Sequence, residues 1–182
     1  MSLHTSVISI EGDHLSAVPD ILTNCEYVIE KSLIVPTAAE ASEALKWNPS
    51  VDRIAKIAYL SNGWTFIIDS EMVLTMEAIW SELSGKWDNR ILGWVCEGGS
   101  GSYGLTLFER GNKRRDIMAV AGQVEIDEGE PMAEEEGINW TEAWEDDVLA
   151  IDGRLGAEYD YLAEREYTVF HLCEPEEYDS LD

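Results

Sequence analysis

Few side chains in this chain could move a proton or hold a metal at neutral pH. The histidines are His4, His14 and His171, and the cysteines are Cys25, Cys96 and Cys173. His171 and Cys173 lie two apart in a β-prone run, so a strand would point both to one face. Two zinc ligands can sit that way, but a zinc site needs three or four. There is no Cys-x-x-Cys and no second histidine cluster to complete one. A serine or cysteine nucleophile needs a positioned base. No Gly-x-Ser-x-Gly elbow occurs, and Gly99-Ser100-Gly101-Ser102 is not that motif.

The run Glu97-Gly-Gly-Ser-Gly-Ser-Tyr-Gly104 has the glycines of a phosphate cradle. A cradle sits at a helix N-terminus, usually with a lysine close by. Here β-prone segments flank the run on both sides, which predicts a hairpin or a bulge. With 37 acids, carboxylate pairs arise by chance and identify no glycosidase-like pair. The acids also lack the spacing of an EF-hand loop. These observations predict no catalytic residue, no cofactor and no bound metal, and they point away from an enzyme.

Charge is the informative feature. The chain has 182 residues and a net charge of -25, from 37 acidic and 12 basic residues. Residues 1–124 carry 16 acids and 10 bases, or -6; residues 125–182 carry 21 acids and two bases, or -19. Such a field repels nucleic acid and anionic membranes and attracts basic partners. Lys113, Arg114 and Arg115 form a rare basic cluster, read as a solvated turn or as an internal counter-charge to the acidic third.

The segment best equipped for binding is 125–147. Glu125, Asp127, Glu128, Glu130, Glu134, Glu135, Glu136, Glu145 and Asp146 would surround Trp140, an aromatic anchor in an acidic rim. Trp144 falls on the apolar stripe of a helix predicted over 141–155, so a core position is expected for it, while Trp140 is left open.

The elements that must position these residues follow from periodicity. Val18, Leu22, Cys25 and Ile29 share a helical face, with Pro19 in the first turn, and Cys25 reads as core. A short strand over 32–35 ends at Pro36. Thr37-Ala-Ala-Glu40 is a capping box that opens a helix through Leu45, ended by Asn48-Pro49. Segments 54–61 and 64–69 flank Asn62-Gly63, a type I′ hairpin signal. Val73, Met76, Trp80, Leu83 and Trp87 predict a helix over 71–87. Strands are read at 6–10, 90–96, 103–110, 116–121, 123–126 and 166–172, and Gly111-Asn112-Lys113 reads as a further turn. Segment 128–139 reads as an exposed loop, and Gly156 stops the last helix.

The pattern implies α+β architecture. We expect a mainly antiparallel sheet of about six or seven strands, with three or four helices packed chiefly on one face and the other face partly open. A single domain spans 1–182, with 174–182 a frayed acidic tail. At 45% hydrophobic with seven tryptophans, the chain is too apolar to be a disordered acidic segment. No apolar run is long enough to span a bilayer, and the N-terminus has no basic signal-peptide region. Three widely spaced cysteines suit a reducing compartment, so a cytoplasmic location is expected.

The runs Asn62-Gly-Trp-Thr-Phe-Ile-Ile68, Leu92-Gly-Trp-Val-Cys-Glu-Gly98, Asp127-Glu-Gly-Glu-Pro131 and Asp146-Asp-Val-Leu149 resemble small uncharacterised acidic bacterial proteins. In size, acidity and fold class the chain is similar to immunity proteins encoded beside bacterial toxins. That resemblance implies a non-enzymatic binding role and carries no catalytic residues. The expected partner is a basic protein, not nucleic acid or membrane, with self-association left open. The alternatives are a DNA mimic that blocks a nucleic-acid-binding protein, and a small-molecule domain or enzyme with a pocket near Gly98–Gly104.

Overall fold

The structure is a computed structural model that describes residues 4–44, 54–76 and 78–173. Among the described residues it is α+β with one antiparallel sheet of nine strands. In chain order these are β1 (His4–Glu11), β2 (Val28–Val35), β3 (Ile54–Ser61), β4 (Trp64–Asp69) and β5 (Arg90–Glu97). They continue with β6 (Ser102–Glu109), β7 (Asn112–Val120), β8 (Gln123–Gly129) and β9 (Tyr167–Cys173). The spatial order is β2-β9-β3-β4-β1-β5-β6-β7-β8. The sheet therefore exceeds the expected six or seven strands. The two faintest strand patterns, near residues 6–10 and 32–35, each form eight-residue strands. β1 is stabilised by pairing on both sides, with β4 and β5.

The hairpin at Asn62-Gly63 forms as its sequence predicts. Both residues take positive φ, 50° and 77°, and β3 and β4 run in register from Ser61 opposite Trp64. The β7–β8 turn repeats the device with Ala121 and Gly122 at 49° and 78°.

Among the described residues four α-helices lie in the connections: α1 (Val18–Asn24), α2 (Ala38–Ala44), α3 (Ile79–Trp87) and α4 (Glu145–Arg154). α1 is shorter than the stripe predicts. The chain turns at Glu26 with φ 66°, and Ile29 becomes part of β2. The Glu40 amide donates to Thr37 Oγ1 at 3.2 Å, the cap expected for α2. Leu45, Asn48 and Pro49 lie outside the described residues, as do residues 174–182. The helix expected over 71–87 starts only at Ile79. Asp69 is the cause: its carboxylate accepts from the amides of Glu71, Val73 and Leu74 at 3.1, 2.8 and 2.7 Å, fixing a loop instead.

The helices do not gather on one face, which corrects that expectation. α1 and α3 bury Val18, Leu22, Trp80 and Leu83 against Ile8, Ile10 and Ile91. α2 and α4 bury Ala41, Val148 and Ile151 against Val7, Leu92 and Trp94 on the opposite face. β4 shows why: all six of its residues are buried, with Trp64, Phe66 and Ile68 in one core and Ile67 in the other. A strand apolar on both faces needs cover on both. No helix among the described residues is long and apolar enough to cross a membrane.

One buried charge cluster belongs to this frame. Lys56 on β3 is fully buried and pairs with Asp69 and Glu71, with its ammonium also 5.3 Å from the Tyr27 ring centroid.

Candidate functional site

The acidic third begins on β8, which among the described residues pairs only with β7 and forms one end of the sheet. All seven of its residues are exposed, including Val124 and Ile126. A bulge sets Glu125 out of register, because Ala119 faces Val124 while Met118 faces Ile126. Gly129 closes the strand at φ 83°, where an added Cβ would lie 2.2 Å from the Arg114 carbonyl oxygen. No other residue type fits that approach.

Arg115 alternates on β7 with Ile117 and Ala119, so its side chain turns inward with theirs and is only 2% exposed. Its guanidinium grips Glu135 with two bonds, Nε to Oε1 at 2.8 Å and Nη2 to Oε2 at 3.0 Å. Nη1 donates to Asp127 Oδ1 at 2.6 Å and to the Glu128 carbonyl at 3.1 Å. Glu135 also accepts from the Met132 amide and the Trp140 indole, each at 3.0 Å. Burial alone would raise the Glu135 carboxyl. Arg115 and these donors outweigh it and hold the group below the ordinary 4.5. Arg115 is therefore an internal counter-charge and not part of a solvated turn. Lys113 does the same work at the surface, pairing with Asp116 at 2.8 Å and Glu128 at 2.7 Å. Arg114 stays outside, 3.7 Å from Glu109.

This network decides which candidate residues face solvent. Glu125, Asp127, Glu128, Glu130, Glu136 and Asp146 are exposed, and Glu134 and Glu145 are half-buried. Glu135 and Trp140 are buried and spent on each other and on Arg115, so neither belongs to an outer surface. Segment 128–139 is thus a pinned strap and not a free loop. Arg154 on α4 secures it further, donating to the carbonyls of Glu134 at 2.6 Å and Glu136 at 3.0 Å.

Trp140, left open by the sequence, is buried, and Trp144, expected in the core, is not. Trp144 is 67% exposed, because α4 starts after it. The Trp144 amide donates to Asp147 Oδ2 at 2.9 Å, and the Asp147 amide returns a bond to the Trp144 carbonyl at 3.0 Å. Glu145, Asp146 and Asp147 fill the first turn, where carboxylates favour the helix dipole. Those three acids are the sequence signal that would have set the helix start after Trp144. Its ring lies 6.2 Å from that of Tyr103, and both border a cleft of about 340 Å³ with Gly98, Gly101, Gly122 and Trp140.

The glycine run is the β5–β6 hairpin. Gly99 donates to Glu97 Oε1 at 2.7 Å, and the Gly101 carbonyl accepts from Ala121 at 3.0 Å. No helix starts there. On the opposite face, beside the N-terminus of α3, a second cleft of about 360 Å³ has a floor of Gly93, Val95, Gly104, Met118 and Ile126. It is the part of the sheet left partly open. At one end Thr106 donates to Asp116 at 3.1 Å.

Other titratable groups are scattered. His4 pairs with Glu97, His14 stacks on Trp87 at 4.0 Å, and His171 lies on β9. Cys25, Cys96 and Cys173 are buried, and burial pushes the Cys96 thiol up to about 12. Asp152 on α4 is fully buried; it accepts from Ser9, Trp94 and the Tyr159 amide at 3.0, 3.3 and 2.7 Å. Burial still pushes its carboxyl above the ordinary 3.8. Among the described residues no three His, Cys, Asp or Glu side chains are grouped to hold a metal. Comparison with family models, curated proteins and solved structures finds no match to this chain.

Proposed function

We propose that this chain is a non-enzymatic binding protein that uses its acidic third against a basic protein partner, in the manner of an immunity or inhibitor protein. The observation that carries the reading is Trp144, a large aromatic 67% exposed beside Tyr103, at the N-terminus of a helix whose first turn is all carboxylate. Exposed aromatics in open clefts are where interface energy concentrates, and acidic surroundings select cationic partners and speed their approach. Residues 125–182 carry a net charge of -19, and Lys113 and Arg115 are already committed to Asp127, Glu128 and Glu135.

The test is affinity capture at low salt, starting with the protein encoded by the neighbouring gene, then titration of the purified pair across salt concentrations. Affinity should fall steeply with salt, and Trp144→Ala should weaken binding at least tenfold. A partner that is not cationic, or binding indifferent to salt, would sink the reading.

A further inference from the structure

The acidic end of the sheet is an open edge as well as a charged surface. Among the described residues β8 has a neighbour on one side only, and all seven of its residues are exposed. An edge strand keeps a row of unpaired N–H and C=O groups that can template another strand. Proteins often guard such edges with charge, and four acids between Glu125 and Glu130 could be read as that guard. Two features argue against a guard alone. The strand is long for a protected edge, and it presents Val124 and Ile126, 38% and 39% exposed, where a guarded edge would hold polar groups. Ile126 also continues into the apolar cleft floored by Gly104 and Met118.

Charge selects the occupant. Asp116, Glu125, Asp127, Glu128, Glu130 and Glu135 stand against Lys113 and Arg115, six carboxylates to two cations, so an excess of four negative charges remains. A second copy of this chain would set β8 carboxylates against their own kind, and like charges facing across strands repel. A basic strand has the opposite balance. The register fixes its pattern. Val124 and Asp127 follow Ala119 and Ile117 on the α4 face, while Ile126 and Glu128 follow Met118 and Asp116 on the cleft face. The apolar pair thus lies toward the β7–β8 turn and the acidic pair toward Gly129.

We propose that β8 accepts an extended segment of the partner as a tenth strand. That segment carries adjacent basic residues across from Asp127 and Glu128, and aliphatic residues across from Val124 and Ile126. Backbone pairing supplies affinity in such additions, and alternate side chains supply specificity. The inference rests on the basic-partner reading and specifies how that partner is held.

The probe is a synthetic peptide with a Lys-Arg-Ile run followed, after one spacer residue, by Val, which antiparallel to β8 sets these residues across from Glu128, Asp127, Ile126 and Val124. It is compared with the same peptide N-methylated at alternate residues on its pairing edge. The full chain is followed by amide hydrogen exchange and by binding titration. The unmethylated peptide should slow exchange across 123–129, and methylation should weaken it at least tenfold with charge unchanged. Ile126→Lys should abolish peptide binding while the thermal transition stays intact. Equal binding of both peptides, or no binding of either, would overturn strand addition. Protection on β2, or protection of β8 through dimerisation without peptide, would overturn it too. The basic-partner reading fails separately, if the cationic partner itself does not bind.

Discussion

Lys56 and Arg115 are the two buried cations among the described residues of the sheet, and they are built alike. Each sits on a strand with one buried carboxylate, Asp69 or Glu135, and one more exposed carboxylate, Glu71 or Asp127. Each buried acid also accepts backbone amides and pins an irregular segment, 70–74 in one case and 130–135 in the other. The difference is position. Lys56 lies on β3, with strands on both sides, whereas Arg115 lies one strand from the open edge. The same chemistry therefore closes the core at one site and at the other fixes how an acidic surface is displayed.

That contrast can be broken most forcefully by removing the cations. Lys56→Met and Arg115→Met each leave a buried carboxylate unpaired, at a cost of about 3–5 kcal/mol by denaturant titration. Hydrogen exchange should separate them. Loss of Lys56 should lower protection throughout β1, β3 and β4, while loss of Arg115 should release mainly 123–140. Global loss in both variants would erase the distinction. A smaller effect is expected for Gly129→Ala, where a Cβ would strike the Arg114 carbonyl at positive φ. It should cost about 1–3 kcal/mol and again loosen β8 first.

Acid sharpens the comparison further. Glu135 is held below its ordinary value, so its contribution is present above pH 4.5 and is lost as pH falls through the lower folded value. The stability gap between wild type and Glu135→Gln should narrow on acidification. Asp152 is shifted the other way by burial, so its contribution is present at low pH and is lost as pH rises through the raised folded value. The gap for Asp152→Asn should therefore narrow in the opposite direction. Thermal melts from pH 3 to about pH 7 would check both signs. The smallest effect is expected for Arg114→Ala, within about 0.5 kcal/mol, because its ion pair is exposed. A large loss there would mean that the basic triplet acts as one unit.

The sequence makes local geometry legible and leaves long-range geometry dark. Asn62-Gly63 and Thr37-Ala-Ala-Glu40 specify a turn and a cap through a few adjacent backbone groups, and both form. The burial of Arg115 was readable from its alternation with Ile117 and Ala119, but three successive bases look like a turn until the strand is extended back to Asn112. Trp144 was misplaced because apolar spacing was continued past the carboxylates that mark the start of α4. The loop at 70–74 depends on Asp69 meeting Lys56, a contact across a hairpin that periodicity does not report. The pairing of helices with faces was equally hidden, since both cores draw on the same strands.

β9 has a consequence for how the chain is made. It is the last strand in sequence, yet it lies between β2 and β3 and is the neighbour they share. During synthesis β2 has no partner in the sheet, and β3 keeps one open side, until residue 173 has left the ribosome. The nascent protein must hold the open side of β3, with Ala55 and Ile57 that are buried once β9 pairs with it, in water through that interval, or lend it to a chaperone. Ribosome stalling before β9 would therefore yield an aggregation-prone chain and not a smaller folded one.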